Sequence, residues 1–165
     1  MAQEFSFDVV SKTDMQEVTN AIQQAQKELA QRFDFKGSKS TIELSAEEIV
    51  LVSDDEGKLR SVKDIVETKL VKRGVSLKAL DYGKVEEAAK STVRQTITLN
   101  VGISDEKARA INKFIKGLGL KGVSSQTQGD QLRVSGKKRD DLQAAIAAMK
   151  AEDFGIPLQF TNFRD

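Results

Sequence analysis

The stretch QTQGDQLRVSGKKRDDLQAAIAAM, residues 126–149, decides the fold. Leu132 and Val134 alternate with Gln131, Arg133 and Ser135, the period-two pattern of a half-buried strand. Gly129-Asp130 separates this run from the end of a preceding strand, and glycine tolerates the positive φ of a tight hairpin. Downstream, a basic Gly136-Lys137-Lys138-Arg139 turn leads into a helix on which Leu142, Ala145, Ile146 and Met149 share one face. This order of strand, turn, strand, turn and helix is half of a βαββαβ module. A chain of 165 residues has room for two such modules.

The flanking sequence supplies the other elements. Upstream, TVRQTITLNV (92–101) is a long β-branched strand with Val93, Ile97, Leu99 and Val101 on one face. Ser104 caps a helix with the stripe Ala108, Ile111, Ile115 and Leu118, and residues 156–163 form a last strand. In the first half, Phe5, Phe7 and Val9 mark a strand at 4–10. Ser11, Thr13 and Asp14 offer N-cap oxygens, and Thr13 with Gln16 fits a capping box, for a helix over 14–32 whose stripe is Val18, Ile22, Ala25, Leu29 and Phe33. Strands follow at 39–45 and 49–52. Asp54 or Asp55 then caps a helix with Leu59, Val62, Val66 and Leu70 inward, and a strand at 75–80 closes the series. The polar run DYGKVEEAAK (81–90) is the boundary. The expectation is an α+β chain of two ferredoxin-like βαββαβ units. Each has a four-stranded antiparallel sheet with two helices on one face.

Composition narrows the chemistry. The chain is 39% hydrophobic and 31% charged with a net charge of +1, so attraction to phosphate must come from local patches. It has no Cys and no His, which removes thiolate sites, the commonest metal ligand and the commonest general base near neutral pH. The carboxylate pairs Asp54-Asp55 and Asp140-Asp141 read as helix-start charges rather than metal ligands. No Ser-x-x-Lys or Gly-x-Ser-x-Gly framework surrounds a nucleophile. No apolar run approaches the roughly 20 residues that span a bilayer. The acidic, alternating start MAQEFSFDVVSKTD is unlike a signal peptide, which makes the cytoplasm the expected compartment. The expectation is a protein that is not an enzyme and uses no metal or cofactor.

Two basic turns and one sheet face are the candidate sites. Arg32-Phe33-Asp34-Phe35-Lys36-Gly37-Ser38-Lys39 reads either as a phosphate cradle of Gly and Ser backbone N–H groups, with Lys36 and Lys39 supplying charge, or as a helix exit with a solvated lysine pair. Lys137, Lys138 and Arg139 put three cations at the positive end of a helix dipole. Asp140 and Asp141 offset them there, and a bound anion would do the same. Arg133 shares strand parity with Gln131 and Ser135, beside Ser124, Gln126 and Gln128. Such a face can contact a sugar-phosphate backbone or serve as a wet sheet back. LRVSGK and RQTITLN carry no aromatic residue, so base stacking on central strands is not expected.

SFDVVS, QRFDFKGSK, QTQGDQLRVSGKKRDDLQAAI and the terminal LQFTNFRD, in that order, resemble the signatures of the YajQ family of small bacterial proteins over essentially the whole chain. The resemblance implies two domains, 11–90 and 101–165, that exchange N-terminal strands. The strand near 91–100 would complete the sheet of the first, and the strand near 4–10 that of the second. It also implies binding of nucleotide or nucleic acid (tRNA, purine nucleotides or, in some members, cyclic di-GMP) with no enzymatic activity. Lys36 and Lys39 then flank one anion site. Arg133, Lys137, Lys138 and Arg139 form another, with Arg164 nearby. The alternative is a protein-interaction module that docks a transcriptional or translational partner.

Overall fold

The computed structural model describes residues 4–165. They form an α+β fold of four helices and two antiparallel sheets. The chain divides into two compact units, one joining residues 4–12 to Val101–Asp165, the other Thr13–Asn100.

The first unit contains strands β1 (Phe5–Val10), β7 (Ser124–Gln128), β8 (Gln131–Gly136) and β9 (Gln159–Arg164), with helices α3 (Asp105–Gly117) and α4 (Arg139–Ala151). The second contains β2 (Thr41–Ser45), β3 (Glu48–Ser53), β4 (Leu80–Tyr82), β5 (Glu86–Ala88) and β6 (Thr92–Leu99), with α1 (Met15–Gln31) and α2 (Glu56–Lys72).

In the first unit the sheet order is β7-β8-β1-β9. The β7–β8 hairpin closes with Gln128 opposite Gln131, so Gly129-Asp130 is the whole loop, and Gly129 takes φ +64°. Period-two alternation places Phe7, Val9, Leu132 and Val134 on the helix side, all fully buried. Ala108, Ile111 and Ile115 of α3 and Leu142, Ala145 and Met149 of α4 pack against them. Full burial of an aliphatic side chain contributes about 1.5–3 kcal/mol, so this layer holds the helices on one face.

In the second unit the order is β2-β3-β6-β4, with β5 also on β6. Val18, Ile22 and Ala25 of α1 and Leu59, Val62, Val66 and Leu70 of α2 cover Ile42, Ile49, Leu51, Ile97 and Leu99. This sheet has five strands rather than the expected four. β4 and β5 follow one another along the same edge of β6, joined through Gly83, whose N–H donates to Thr96 O at 2.8 Å. An edge strand exposed on both faces has no apolar period, which is why the run 81–90 reads as a linker.

Other differences are local. The N-cap of α1 is Asp14, which accepts from the N–H groups of Gln16 and Glu17, rather than Thr13. The strand expected at 75–80 begins at Leu80, because Leu77–Ala79 forms a 3-10 turn. β6 ends at Leu99, leaving Val101 exposed. Most consequential, α1 stops at Gln31. Arg32 is extended (φ −76°, ψ 129°), and the following 3-10 turn buries Phe35 while Phe33 is 86% exposed.

Candidate functional site

In the first unit, antiparallel register sets Asp8 of β1 opposite Arg133 of β8. Both lie on the sheet face away from the helices, yet Asp8 is only 1% exposed. An unpaired buried carboxylate would be costly, and Asp8 is well supplied with donors. Arg133 Nε donates to Oδ1 at 3.3 Å, Asn162 Nδ2 to Oδ2 at 2.9 Å and Arg164 Nη2 to Oδ2 at 3.1 Å. A bulge makes this possible. β9 has one extra residue between the Asp8–Thr161 and Ser6–Arg164 pairs, where Asn162 takes φ +54°. The extra residue sends Phe163 to the helix side, against Phe7 at 5.8 Å, and returns Arg164 to the Asp8 face. Burial alone would raise the Asp8 pKa, but the hydrogen bonds from Arg164, Asn162 and Arg133 outweigh it and hold the carboxyl below its usual range. Two guanidinium groups against one carboxylate leave a unit of positive charge at this face.

Arg164 also lines a cleft of about 240 Å³ with Phe5, Ser6, Arg139, Leu142, Gln143, Phe163 and Asp165. Arg139 stacks over the Phe5 ring at 5.0 Å and donates to Asp165 Oδ1 at 2.6 Å. Both members of that ion pair are well exposed, and such pairs are worth about 0–1 kcal/mol, so Asp165 holds Arg139 weakly. Lys137 and Lys138 are exposed beside it. Lys138 is the N-cap of α4 but supplies no side-chain cap, and Asp140 and Asp141 occupy the first turn. The polar sheet face has the expected composition, with Ser124, Gln126 and Gln128 opposite Ser135, Arg133 and Gln131. β1 and β8 are its central strands, and the Phe7 of β1 points into the core.

In the second unit the Gly37–Lys39 turn is arranged differently from a phosphate cradle. The Ser38 N–H donates to Phe35 O at 3.0 Å, the Lys39 N–H to Asp54 Oδ1 at 3.1 Å and the Ser40 N–H to Ser38 Oγ at 3.1 Å. The Ser38 hydroxyl donates to Asp54 as well. Ser40 Oγ and Ser53 Oγ, 2.7 Å apart, extend the network. Asp54 therefore fills the position that an anion would take, and the Ser38 and Lys39 hydrogen bonds hold its pKa below the usual range. Lys39 Nζ donates to Lys90 O at 3.0 Å. Lys36 lies over the Phe33 ring at 6.0 Å.

The structure thus brings Arg133 with Arg164, and Arg164 with Arg139, while Lys36 and Lys39 diverge from one turn. Asp8, Asn162 and Phe163 escaped sequence reasoning, and Asp54, read there as a helix-start charge, instead holds the Ser38–Lys39 turn while Asp55 caps α2. Strand parity could have put Asp8 and Arg133 on polar faces, but not opposite each other. Among the described residues no group of three or more Asp, Glu, His or Cys could hold a metal ion, and no helix is long and apolar enough to cross a membrane.

Residues 5–164 match the family described as "Nucleotide-binding protein YajQ-like". A nucleotide-binding protein of Desulfitobacterium hafniense is 62% identical over 164 residues, covering 99% of this chain and all of the relative. One of Heliobacterium modesticaldum is 59% identical, covering 99% of each chain. One of Bacillus cytotoxicus is 58% identical, covering 99% of this chain and all of the relative.

Proposed function

The chain belongs to the YajQ-like family of nucleotide-binding proteins, and from that premise we propose that it binds nucleotide phosphates without transforming them. The ligand class is a purine nucleotide, cyclic di-GMP or the backbone of an RNA such as tRNA. The observation that supports this most is the cleft where Arg139 and Arg164, from a helix start and a terminal strand, meet beside Phe5 and Phe163. Guanidinium groups take phosphate oxygens in bidentate fashion, and phenyl edges offer a surface for ribose or base. Arg133, Lys137 and Lys138 extend the positive field around that cleft, and Lys36 offers a second contact, apart from Lys39, which is held by Lys90 O. The roles are charge pairing and hydrogen bonding. A chain without His or Cys lacks the usual proton shuttle and the strongest nucleophile. We place the protein in the cytoplasm, where these ligands are made. We also read the two units as ferredoxin-like domains, 11–90 and 101–165, that exchange first strands; the pairing of β1 with β8 and β9, and of β6 with β3, supports this.

The test is equilibrium binding of GTP, cyclic di-GMP and tRNA across a salt series. Log affinity is expected to fall linearly with log salt, with a slope that grows with the number of phosphates contacted. Absent binding at low salt, or affinity indifferent to salt, overturns the reading.

A further inference from the structure

Phe33 is the most exposed large apolar side chain among the described residues, at 86%. A loose turn would explain that cheaply, but this turn is pinned. Arg32 grips Asp34 through two hydrogen bonds, Nε–Oδ1 at 3.0 Å and Nη2–Oδ2 at 2.8 Å. Phe35 anchors the turn in the core, with Arg32 at 5.2 Å and Lys58 at 4.8 Å over its ring. Lys58 Nζ also donates to Asp34 O. The Lys36 N–H closes the turn on Phe33 O at 3.1 Å. The ring is therefore held out in water by a rigid support, which forgoes the gain of burial. Its neighbours in the chain are Arg32, Asp34 and Lys36. The ring therefore stands among charged neighbours along the chain, with the Lys36 ammonium 6.0 Å from its centroid.

Lys36 links the ring to a cavity. Its ammonium lies 6.0 Å from the Phe33 centroid, and it also lines a hollow of about 490 Å³ running past Gly37 and Ser38 to Thr41 and Glu43. Gly37 has no heavy atom within 4 Å of where a Cβ would stand, and its N–H has no partner among the described residues. An exposed ring beside a cation and an unfilled donor is the arrangement by which unstacked bases are held, the base on the ring and the phosphate on the cation. Glu43 lines the far end of the same hollow.

We propose that Phe33 is a stacking platform for an unstacked purine base whose 5′-phosphate pairs with Lys36, a second nucleotide subsite in the Thr13–Asn100 unit. The inference rests on the nucleotide-binding reading above and assigns a base contact where that reading has only charge. The base can come from a free mononucleotide or from the end of a single-stranded RNA.

The chain has no tryptophan, so Phe33→Trp installs a sole indole emitter at the platform without touching the core. GMP or oligoadenylate is expected to quench it, and ribose 5-phosphate at equal ionic strength is not. Quenching by GMP identifies the free nucleotide, and quenching by oligoadenylate alone identifies the RNA end. Lys36→Gln in the Phe33→Trp chain should lower the salt slope of the quench by about one. In an Arg139→Ala/Arg164→Ala background, Phe33→Ala should cost on the order of tenfold in affinity for the same probes, while Phe33→Tyr retains it. Three results overturn the inference but leave the nucleotide-binding reading standing. They are an unmoved indole while calorimetry shows the wild-type chain binding GMP, loss of all binding in an Arg139→Ala/Arg164→Ala chain whose circular dichroism matches the wild type, and no loss of affinity on Phe33→Leu in that same background. No nucleotide binding to the wild-type chain by any probe removes both.

Discussion

At the Asp8 cluster one carboxylate faces two guanidinium groups and an amide. At the Ser38–Ser40 turn one carboxylate accepts from a hydroxyl and a backbone N–H. Both are places where an anion could sit, and in both the protein supplies its own. They differ in what remains once that internal anion is counted. The first keeps one positive charge in excess and opens onto a cleft whose further arginine, Arg139, is held only by an exposed ion pair with Asp165. The second has the Ser38, Lys39 and Ser40 N–H groups consumed, so that part of the turn is a fixed support, and Lys36 lies over the Phe33 ring instead. A basic or glycine-containing motif is thus only half of an anion site. The other half is whether a carboxylate from elsewhere in the chain has taken it.

The sharpest way to break this comparison is to remove each carboxylate in turn. Asp8→Asn should destabilise the protein by about 3 kcal/mol, read as a lower urea midpoint, because it strips a buried charge from its partners. The same variant should bind GTP more tightly, since two guanidinium groups lose their competitor. Asp54→Asn should cost less, about 1–2 kcal/mol, the scale of charge-assisted hydrogen bonds lost at a partly exposed site. It should leave GTP affinity at the Arg139 cleft unchanged. Equal stability losses, or tighter nucleotide binding from Asp54→Asn alone, would reverse the assignment of the two regions.

Acid sharpens it further. Both carboxyls have folded pKa values below their unfolded value of about 3.9. Their stabilisation is therefore fully present above that pH and is lost as pH falls through the folded values. Urea unfolding between pH 5 and pH 2 should show a steep loss below about pH 4 in the wild type and a shallower one in Asp8→Asn. The smallest effect belongs to the exposed lysines. Lys137→Gln with Lys138→Gln should change stability by no more than about 0.5 kcal/mol and reduce the salt slope of tRNA binding by about two.

What could be read from the chain divides along the same line. Leu132 and Val134 against Gln131 and Arg133, or Leu142 with Ala145 and Met149, announce strand and helix because periodicity is local. Phe33 defeated that logic. It keeps step with the α1 stripe by count, but the backbone leaves the helix at Arg32, so Phe35 enters the core instead. Asp8 was invisible for a different reason. It lies 125 residues from Arg133 and 156 from Arg164, and a one-residue bulge at Asn162 decides whether Arg164 faces it at all. The cations of the candidate site were legible by type; their internal counter-ions, set by strand pairing, were not.

Amide chemical-shift mapping of the full chain titrated with GTP at low salt tests the central claim most directly. The account predicts saturable shifts at Ser6, Arg139, Gln143, Phe163 and Arg164, which collapse as salt is raised. Shifts at the Asp54-filled Ser38–Ser40 turn with none around Arg139 and Arg164, or no saturable shift anywhere, would contradict it.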